Sequence, residues 1–414
     1  SLTCQLTPLT RKVIYLQMKR VYTLLLLSGA LTLHAQQING SFDGEWLADT
    51  IGNASIPGTL LRPGTQPEGW QASNVNQKVL MTKKAVLVTP DADRTKVDEG
   101  YSVKMVNTYV GVGQIGSNAP AYITLGAPWV YAVMNLDQCD GGTLGGMAFA
   151  HRPDAITGWY KAEGLTDTDP AKVIAYAWNG TYTSKVLTNP KGAASSKTDT
   201  TVTDQDRVIW YQEGYTEATD DAKLISKSEL AISENTDEWT PFTMQINYLD
   251  TETLPQKINV VFSACNYWQR SLIAKDGTLW VDDVAFVYYH ALSALTVDGV
   301  SVAGFAEKKT AYTVDVPYTD DVVVDYKVKG VGAKAEGSYN AETCVYTITV
   351  KGDDYAENPE SKTVYTIQFK QIDTAIGSVG VHGAASAPVF NLKGQRVAAP
   401  VKGANIIGGK KLIK

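Results

Sequence analysis

The segment from Gly277 to His290 reads GTLWVDDVAFVYYH and constrains the fold more than any other part of the sequence. Successive side chains of a strand point to opposite faces, and here apolar residues occur on both faces of a short run. Such a run is typical of a strand buried between two layers. Two adjacent acids, Asp282 and Asp283, interrupt it, and the same alternation predicts that they point to opposite faces. Because a buried carboxylate is costly without a partner, we expect these acids to be paired, hydrogen-bonded or bound to a metal.

The first 35 residues have the layout of a secretory signal peptide. A charged start at Met18 is followed by the apolar run 21–33 and by Ala35 at the cleavage position. The run is too short to span a bilayer. We therefore predict an upstream extension at 1–17 and a signal peptide at 18–35. The protein is then secreted or held at the cell surface, with the periplasm and a membrane-anchored form as alternatives.

The charge of the chain argues against two classes of partner. Its 37 basic and 43 acidic residues give a net charge of −6. The first 35 residues hold four of the basic residues and no acid, so the charge without them is −10. An acidic protein of this kind is a poor partner for nucleic acid and for anionic lipid.

Three cysteines follow the apolar run, namely Cys139, Cys265 and Cys344. None stands at metal-ligand spacing from another Cys or His. Cys139 and Cys265 could form a disulfide within the first domain, and three buried free thiols are the alternative.

The texture of the predicted strands divides the chain into two β-sandwiches, so the fold class is all-β. Many short apolar runs separated by turn residues predict a jelly-roll β-sandwich at 36–290. Clean alternation predicts a smaller Ig-like β-sandwich at 291–370. A Gly-, Ala- and Ser-rich stretch at 371–387 predicts a linker, and 388–414 reads as a few very short strands.

Three segments of the first domain have more specific assignments. Residues 179–207 are rich in Thr, Ser, Lys, Gly and Asp and are interpreted as a polar insertion. Val208 to Tyr211 is predicted to be a short strand, and Leu224 to Ala231 is the best helix candidate in the chain.

Four blocks of the first domain carry a family resemblance: MAFAHRPDAITGWYKAEG, WTPFTMQINYL, LPQKINVVFSA and GTLWVDDVAFVY. In content and order they resemble the putative carbohydrate metabolism domain of Bacteroidetes surface proteins. The resemblance implies a jelly-roll β-sandwich in a carbohydrate context, and it implies no particular reaction.

A more distant resemblance implies a metal. NGSFDGEW and LWVDDVAF are similar to the two ends of calcium-bearing jelly-roll carbohydrate-binding modules, where an acid after the opening Phe and an acid in the final strand share one Ca²⁺. Carried over, these acids are Asp43 and either Asp282 or Asp283, and the opening acid is Asp here rather than the longer Glu. Oxygen ligands suit Ca²⁺. The alternative is that these acids cap turns and accept backbone hydrogen bonds.

The tail from Val389 to Lys414 resembles the C-terminal sorting signals of Bacteroidetes secretion in the pattern NLKGQRV, KGANII and GKKLIK. That resemblance implies partners in the outer membrane or the secretion machinery. The alternative is a degenerate relative that remains as a short β-module.

Aromatic residues in polar loops are the best ligand candidates. Sugar rings stack their apolar faces on Trp and Tyr, and their hydroxyls need polar groups at the rim. In the loop 266–270 we expect Trp268 to be exposed, whereas Trp159 and Trp178 lie in apolar strands and are favoured as core. The predicted ligand-binding residues are Asn266, Tyr267, Trp268, Arg270, Trp129, His151 and Arg152.

No motif in the sequence supports catalysis. Glycoside hydrolysis needs two carboxyl groups across the scissile bond, and candidate pairs such as Asp250 and Glu252 are better explained as solvated loops. Our first hypothesis is a secreted or cell-surface carbohydrate-binding or accessory protein without catalysis of its own. The alternatives are a glycan-active, glycoside hydrolase-like enzyme and a structural adhesin or assembly subunit.

Overall fold

The structure is a computed structural model of the chain. It describes residues 38–48, 63–78, 82–95, 100–131, 139–188, 198–213, 215–218, 222–269, 273–371, 389–399, 402, 404–407 and 410–413. The predicted extension and signal peptide, Arg270 and nearly all of the predicted linker therefore lie outside the described residues. Within the described part the protein is almost entirely β-structure, as the sequence predicted.

The described part of the first domain contains 22 strands and one short helix. In chain order they are β1 (Trp46–Ala48), β2 (Thr65–Pro67), β3 (Gln71–Ala72), β4 (Val75–Lys78), β5 (Thr82–Ala85), β6 (Val88–Asp91), β7 (Ser102–Val106), β8 (Thr108–Val112), β9 (Ile115–Ala119), β10 (Tyr122–Thr124), β11 (Ala127–Tyr131), β12 (Asp140–Leu144), β13 (Met147–Ala148), β14 (Ala155–Glu163), β15 (Ala171–Asn179), β16 (Tyr182–Thr188), β17 (Thr198–Thr203), α1 (Asp206–Tyr211), β18 (Tyr215–Ala218), β19 (Lys223–Ile232), β20 (Thr236–Gln245), β21 (Lys257–Ser263) and β22 (Thr278–Val287).

Two antiparallel sheets form the first sandwich. The first sheet has the order β19-β15-β21-β10-β3, and β13 also pairs with β21. The second sheet has the order β20-β14-β22-β7-β6. Strands that follow one another along the chain often change sheet, since β14, β20 and β22 belong to the second sheet and β15, β19 and β21 to the first. This alternation is the jelly-roll arrangement that the sequence predicted.

The core lies between the two sheets. Val260 and Phe262 of β21 face Val281 of β22 and Met105 of β7 across this interface, and all four are buried. The segment from Gly277 to His290, predicted to be a strand buried between two layers, contains β22, the middle strand of the second sheet.

The outer face of the first sheet is also covered, which makes a third layer. Helix α1, the three-stranded sheet β17-β16-β18 and the loop at Tyr267 lie there, with Tyr176 and Trp178 of β15 buried beneath them. The polar insertion is in part a hairpin, because β16 and β17 pair over 183–188 and 198–203.

Two secondary-structure predictions in this region were wrong. The segment predicted as a helix at 224–231 is strand β19. Its Ser226 and Ser228 are buried opposite Ala177 and Ala175 of β15, so these polar residues occupy inward positions of a strand. The segment predicted as a strand at 208–211 belongs to α1. The carboxylate of Asp206 fixes the start of that helix by accepting hydrogen bonds from the backbone N–H groups of Thr143 and Arg207.

The second domain has its own core between two small sheets of order β24-β23-β26 and β25-β29-β28-β27. Buried residues of this core include Leu295, Ile348 and Phe369. The tail forms a separate four-stranded sheet of order β31-β30-β32-β33, in agreement with the very short strands that we expected. The strands are β23 (Ala291–Val297), β24 (Val300–Ser301), β25 (Ala311–Pro317), β26 (Val324–Lys329), β27 (Lys334–Asn340), β28 (Val345–Lys351), β29 (Lys362–Lys370), β30 (Val389–Asn391), β31 (Arg396–Val397), β32 (Ala404–Ile407) and β33 (Lys410–Ile413).

The cysteines of both domains form no disulfide. The predicted Cys139–Cys265 pairing is therefore not formed. Cys139 is exposed, whereas Cys265 and Cys344 are buried. Among the helices in the described residues, none is both long and apolar enough to span a membrane.

Candidate functional site

The loop that contains Trp268 is half-buried rather than exposed. The indole of Trp268 lies over that of Trp210, with ring centroids 5.0 Å apart and ring planes at 33°. Its Nε1 donates a hydrogen bond of 2.7 Å to Glu229, which also pairs with Lys172. Tyr211 beside it is 51% exposed. The predicted free platform is therefore a packed aromatic cluster with Tyr211 at its surface.

Two other predicted ligand residues are interior. Tyr267 is 3% exposed, and its hydroxyl donates a 2.5 Å hydrogen bond to the buried carboxylate of Asp206. Trp129 is also 3% exposed and packs with Tyr131. Neither ring offers a face to a ligand. The side-chain amide of Asn266 donates a 3.2 Å hydrogen bond to Gln269 in the same loop.

His151 and Arg152 contact the second domain instead of an open cleft. Arg152 donates to Asp353 through its backbone N at 2.7 Å and through its guanidinium at 3.2 Å. The ring nitrogens of His151 lie 3.8 Å from an Asp353 oxygen and 3.5 Å from a Glu357 oxygen. Asp154 extends this contact by accepting a 2.8 Å hydrogen bond from the backbone N of Val331. We call these residues the interdomain clamp.

The clamp shifts the pKa values of its members. The Asp353 carboxylate raises the pKa of His151 above its usual value, although burial of the ring opposes this. Burial also opposes the shift of Asp353, but His151 and Arg152 hold the pKa of Asp353 below its usual range. Both directions favour the charged forms, in line with the ion pair that Arg152 and Asp353 form between the domains.

The residues predicted to share a calcium ion are engaged by protein groups. Asp43 forms an ion pair with the guanidinium of Arg94. Asp282 is fully buried and accepts hydrogen bonds of 2.9 Å from both the backbone N and the hydroxyl of Thr95. Burial raises the pKa of Asp282, with a smaller contribution from Asp283. No group of three or more His, Cys, Asp or Glu side chains that could hold a metal occurs among the described residues. Calcium therefore stays a prediction.

The opposite-face prediction for the two acids was wrong. Asp283 has a φ of +49°, and the pairing of β14 with β22 shifts register at this point. This bulge turns both carboxylates to the same side, so that the Thr95 hydroxyl lies 2.9 Å from Asp282 and 2.6 Å from Asp283. The turn that contains Gly40 meets this strand, because the backbone N of Val284 donates to the Gly40 carbonyl at 2.8 Å.

Sequence reasoning missed the outer face of the second sheet. Trp159 is 37% exposed there, which corrects its assignment to the core, whereas Trp178 is buried as predicted. Lys161 shares the face of Trp159 and stands opposite Trp280 of β22, which in turn stands opposite Lys104 of β7. The alternation of β14 was the available signal, since its polar residues Lys161 and Glu163 are in phase with Trp159.

Polar contacts fix the rings on this face. Trp239 Nε1 donates to Asp93 at 3.1 Å, and Trp280 Nε1 donates to Asp91 at 3.0 Å. Lys161 Nζ lies 2.5 Å from Asp93 and 5.8 Å from the ring centroid of Trp280. We call this surface the tryptophan face; its members are Trp159, Trp239, Trp280, Lys104, Lys161, Asp91 and Asp93.

The tryptophan face combines an apolar surface with hydrogen-bond donors and acceptors. An exposed indole provides an apolar surface, and the ammonium and carboxylate groups beside it provide donors and acceptors. Since these groups project from paired strands, their spacing is fixed by the sheet. The fold is thus a two-sheet β-sandwich whose second sheet carries an exposed indole and paired charges on its outer face.

The comparisons with known proteins agree with that class. The model of the family described as "Putative carbohydrate metabolism domain" matches residues 59–287, more than half of the chain. The chain belongs to this family, as the resemblance of its four sequence blocks predicted. No curated protein matches the chain.

Two solved structures are similar over part of the chain. One is a putative glycoside hydrolase from Bacteroides thetaiotaomicron VPI-5482, with 16% identity and a TM-score of 0.31, over 49% of this chain and 57% of that one. The other is a putative glycoside hydrolase from Bacteroides vulgatus ATCC 8482, with 13% identity and a TM-score of 0.32, over 49% of this chain and 77% of that one. This chain thus spans little more than half the length of the first.

Proposed function

We propose that the protein binds carbohydrate on its tryptophan face and acts as a binding or accessory protein without catalysis of its own. The observation that carries this proposal is the exposed ring of Trp159 on the same face of β14 as Lys161, which is paired with Asp93. A ring of this kind accepts the C–H face of a sugar, and the ion pair offers a donor and an acceptor to its hydroxyls. Family membership supplies the carbohydrate context.

The setting that we propose is the cell surface or the surrounding medium. It rests on the signal-peptide pattern at 18–35 and on the sorting-signal resemblance of 388–414. The implied partners are a polysaccharide or other glycan and, for the tail, components of the outer membrane or secretion machinery. N-terminal sequencing of the protein recovered from its native host tests the signal peptide, since the exported protein should begin at or near residue 36.

A glycan array probed with the full-length protein tests the binding proposal. We expect hits that disappear in Trp159→Ala. Tyr211→Ala is the matched control, because it removes an exposed aromatic ring on the opposite side of the sandwich. Loss of binding in Tyr211→Ala with full retention in Trp159→Ala would move the site to the Trp268 cluster. Hits that neither variant weakens would contradict a role for both surfaces.

A glycan-active enzyme is the second candidate. A shallow groove of about 350 Å³ at the open edge between β19 and β20 contains one acid, Glu234. Asp282 and Asp283 form a close pair of carboxylates, but Asp282 is fully buried and cannot reach a substrate. Release of reducing sugar from a bound glycan, lost in Glu234→Gln, would favour the enzyme. The adhesin alternative is favoured if the array detects no glycan.

A further inference from the structure

We infer that the ligand of the tryptophan face is an uncharged oligosaccharide or polysaccharide that lies across the strands. This inference rests on the proposed function and adds the class of glycan. It follows from two features of the face, its extent and its charge balance.

The extent of the face indicates more than one sugar. Trp239, Lys161, Trp280 and Lys104 lie on β20, β14, β22 and β7, four adjacent strands of one sheet. The contacts join them into a row, because Lys161 Nζ lies 5.9 Å from the ring of Trp239 and Lys104 Nζ lies 4.8 Å from the ring of Trp280. Adjacent strands are about 4.8 Å apart, so the row is roughly 14 Å long. A single pyranose is shorter than this row.

The charges of the face indicate a neutral ligand. Lys161 is paired with Asp93 at 2.5 Å, and Lys104 lies 3.8 Å from Asp91. The exposed Glu163 follows Lys161 on the same side of β14. Each described lysine of the face is therefore balanced by an aspartate. A uronate or sulfate group would have to displace an aspartate, whereas a hydroxyl can bond to both partners of the pair at once.

The net charge of the whole chain also disfavours an anionic ligand. A net charge of −6 repels a polyanion before it reaches the sheet. The rings and the paired charges remain as the groups that a ligand can use, and both suit a sugar without formal charge.

The experiment is a titration of the full-length protein with members of both classes at one ionic strength. Neutral probes are laminarin, mannan and dextran, each also supplied as oligosaccharides and as its monosaccharide. Anionic probes are polygalacturonate and chondroitin sulfate. We expect at least one neutral polymer to bind at least tenfold more tightly than either anionic polymer. Trp159→Ala should weaken that binding tenfold or more, and the monosaccharide should not compete.

A second variant tests the charge argument directly. Asp93→Asn leaves Lys161 without its carboxylate partner, so neutral binding should weaken and salt-sensitive binding of polygalacturonate should appear. The melting temperature of each variant shows that it is folded. Tighter binding of an anionic polymer by the unmodified protein, still dependent on Trp159, overturns the inference and leaves the proposed function standing. Absence of any Trp159-dependent binding among all probes overturns the proposed function itself.

Discussion

At the scale of single residues, Asp43 shows how one side chain can satisfy a need that a metal was expected to meet. Its carboxylate is paired with Arg94, whose side chain is only 4% exposed. An almost buried guanidinium requires a carboxylate, and the pair leaves the opening turn neutral. The sequence indicated a possible partner for Asp43 only through the resemblance, as a shared Ca²⁺. The ion pair could not be predicted, because Arg94 lies 51 residues away along the chain.

The first prediction separates this ion pair from calcium. Asp43→Ala leaves Arg94 without its partner, so we expect a loss of roughly 1 to 3 kcal/mol in the free energy of unfolding. If the ion pair alone acts, the loss is the same with EDTA and with excess CaCl₂. If calcium binds here, chelation lowers the melting temperature of the unmodified protein and has no further effect on the variant. Thermal melts of both proteins in both buffers measure this.

The second prediction concerns Trp268. Because its ring packs on Trp210 and its Nε1 donates to Glu229, Trp268→Ala should lower the melting temperature, with a cost of about 3 kcal/mol. Trp159→Ala should cost much less, since Trp159 is exposed. Chemical denaturation of the two variants gives the comparison. An unchanged stability for Trp268→Ala would show that the loop is loosely held. It would then favour the original prediction that Trp268 is exposed and available to a ligand.

Strand periodicity could place some of these side chains and not others. It could have placed Trp159 with the polar residues of β14, because that strand alternates strictly. It misplaced Asp283, since a bulge with a positive φ interrupts the alternation of β22 and no local residue announces it. The tryptophan face was missed for a related reason: its members come from five separate elements that only strand pairing brings together.

At the scale of secondary-structure elements, the long strands could be predicted from the sequence. The choice between helix and strand was less predictable for other segments. Turn residues and apolar runs identified β14, β15, β21 and β22, which are long and strongly patterned. Strand β19 was mistaken for a helix because its inward serines look polar in the sequence. A short helix such as α1 depends on tertiary contacts of Asp206 with Thr143 and Tyr267, which lie more than 60 residues away.

The third prediction tests how the opening segment docks on β22. A Cβ on Gly40 would lie 1.7 Å from the carbonyl oxygen of Val284, a backbone atom that cannot move freely. Gly40→Ala should therefore destabilise the first domain by roughly 1 to 3 kcal/mol. Gly44→Ala is the matched control, because the nearest atoms to its Cβ belong to side chains, those of Asn39 at 3.2 Å and Glu68 at 3.9 Å. Equal unfolding midpoints for the two variants would mean that the opening segment is not part of the folded core.

At the scale of the whole molecule, the two domains are joined by more than a hinge. We expected them to be separate units with a short connection. The structure adds the interdomain clamp, in which Arg152 and Asp154 of one domain bond to Asp353 and Val331 of the other. The clamp could not be predicted, because its partners are 201 and 177 residues apart along the chain and each looks like an ordinary loop residue.

The fourth prediction is a pH dependence of this clamp. The pKa of His151 is raised in the folded protein by the Asp353 carboxylate. The stabilisation is therefore fully present below the unfolded pKa of about 6.5 and is lost as pH rises through the higher folded pKa. We expect the free energy of unfolding to decline as the pH rises above about 6.5, and to decline less in His151→Gln. Asp353 titrates in acid, because its pKa is lowered, so it does not confound this window.

Denaturant titrations at pH 6, 7 and 8 measure the effect. Thr363→Val is a suitable control, since it removes the hydroxyl partner of His290 at the edge of the same region and leaves the clamp intact. Parallel curves for the unmodified protein and His151→Gln would contradict a charged His151 at the interface.

The position of β22 in the middle of its sheet also dictates when the protein can fold. Its residues bond to Thr95 and Asp91 across 187 and 189 positions of sequence. Closing so long a loop costs chain entropy before any contact compensates for it, and such topologies fold slowly. During synthesis the edge of β7 that pairs with β22 has no partner until nearly 290 residues have been made. A nascent chain of this protein therefore carries exposed strand edges for most of its production and depends on whatever keeps those edges from pairing with a neighbour.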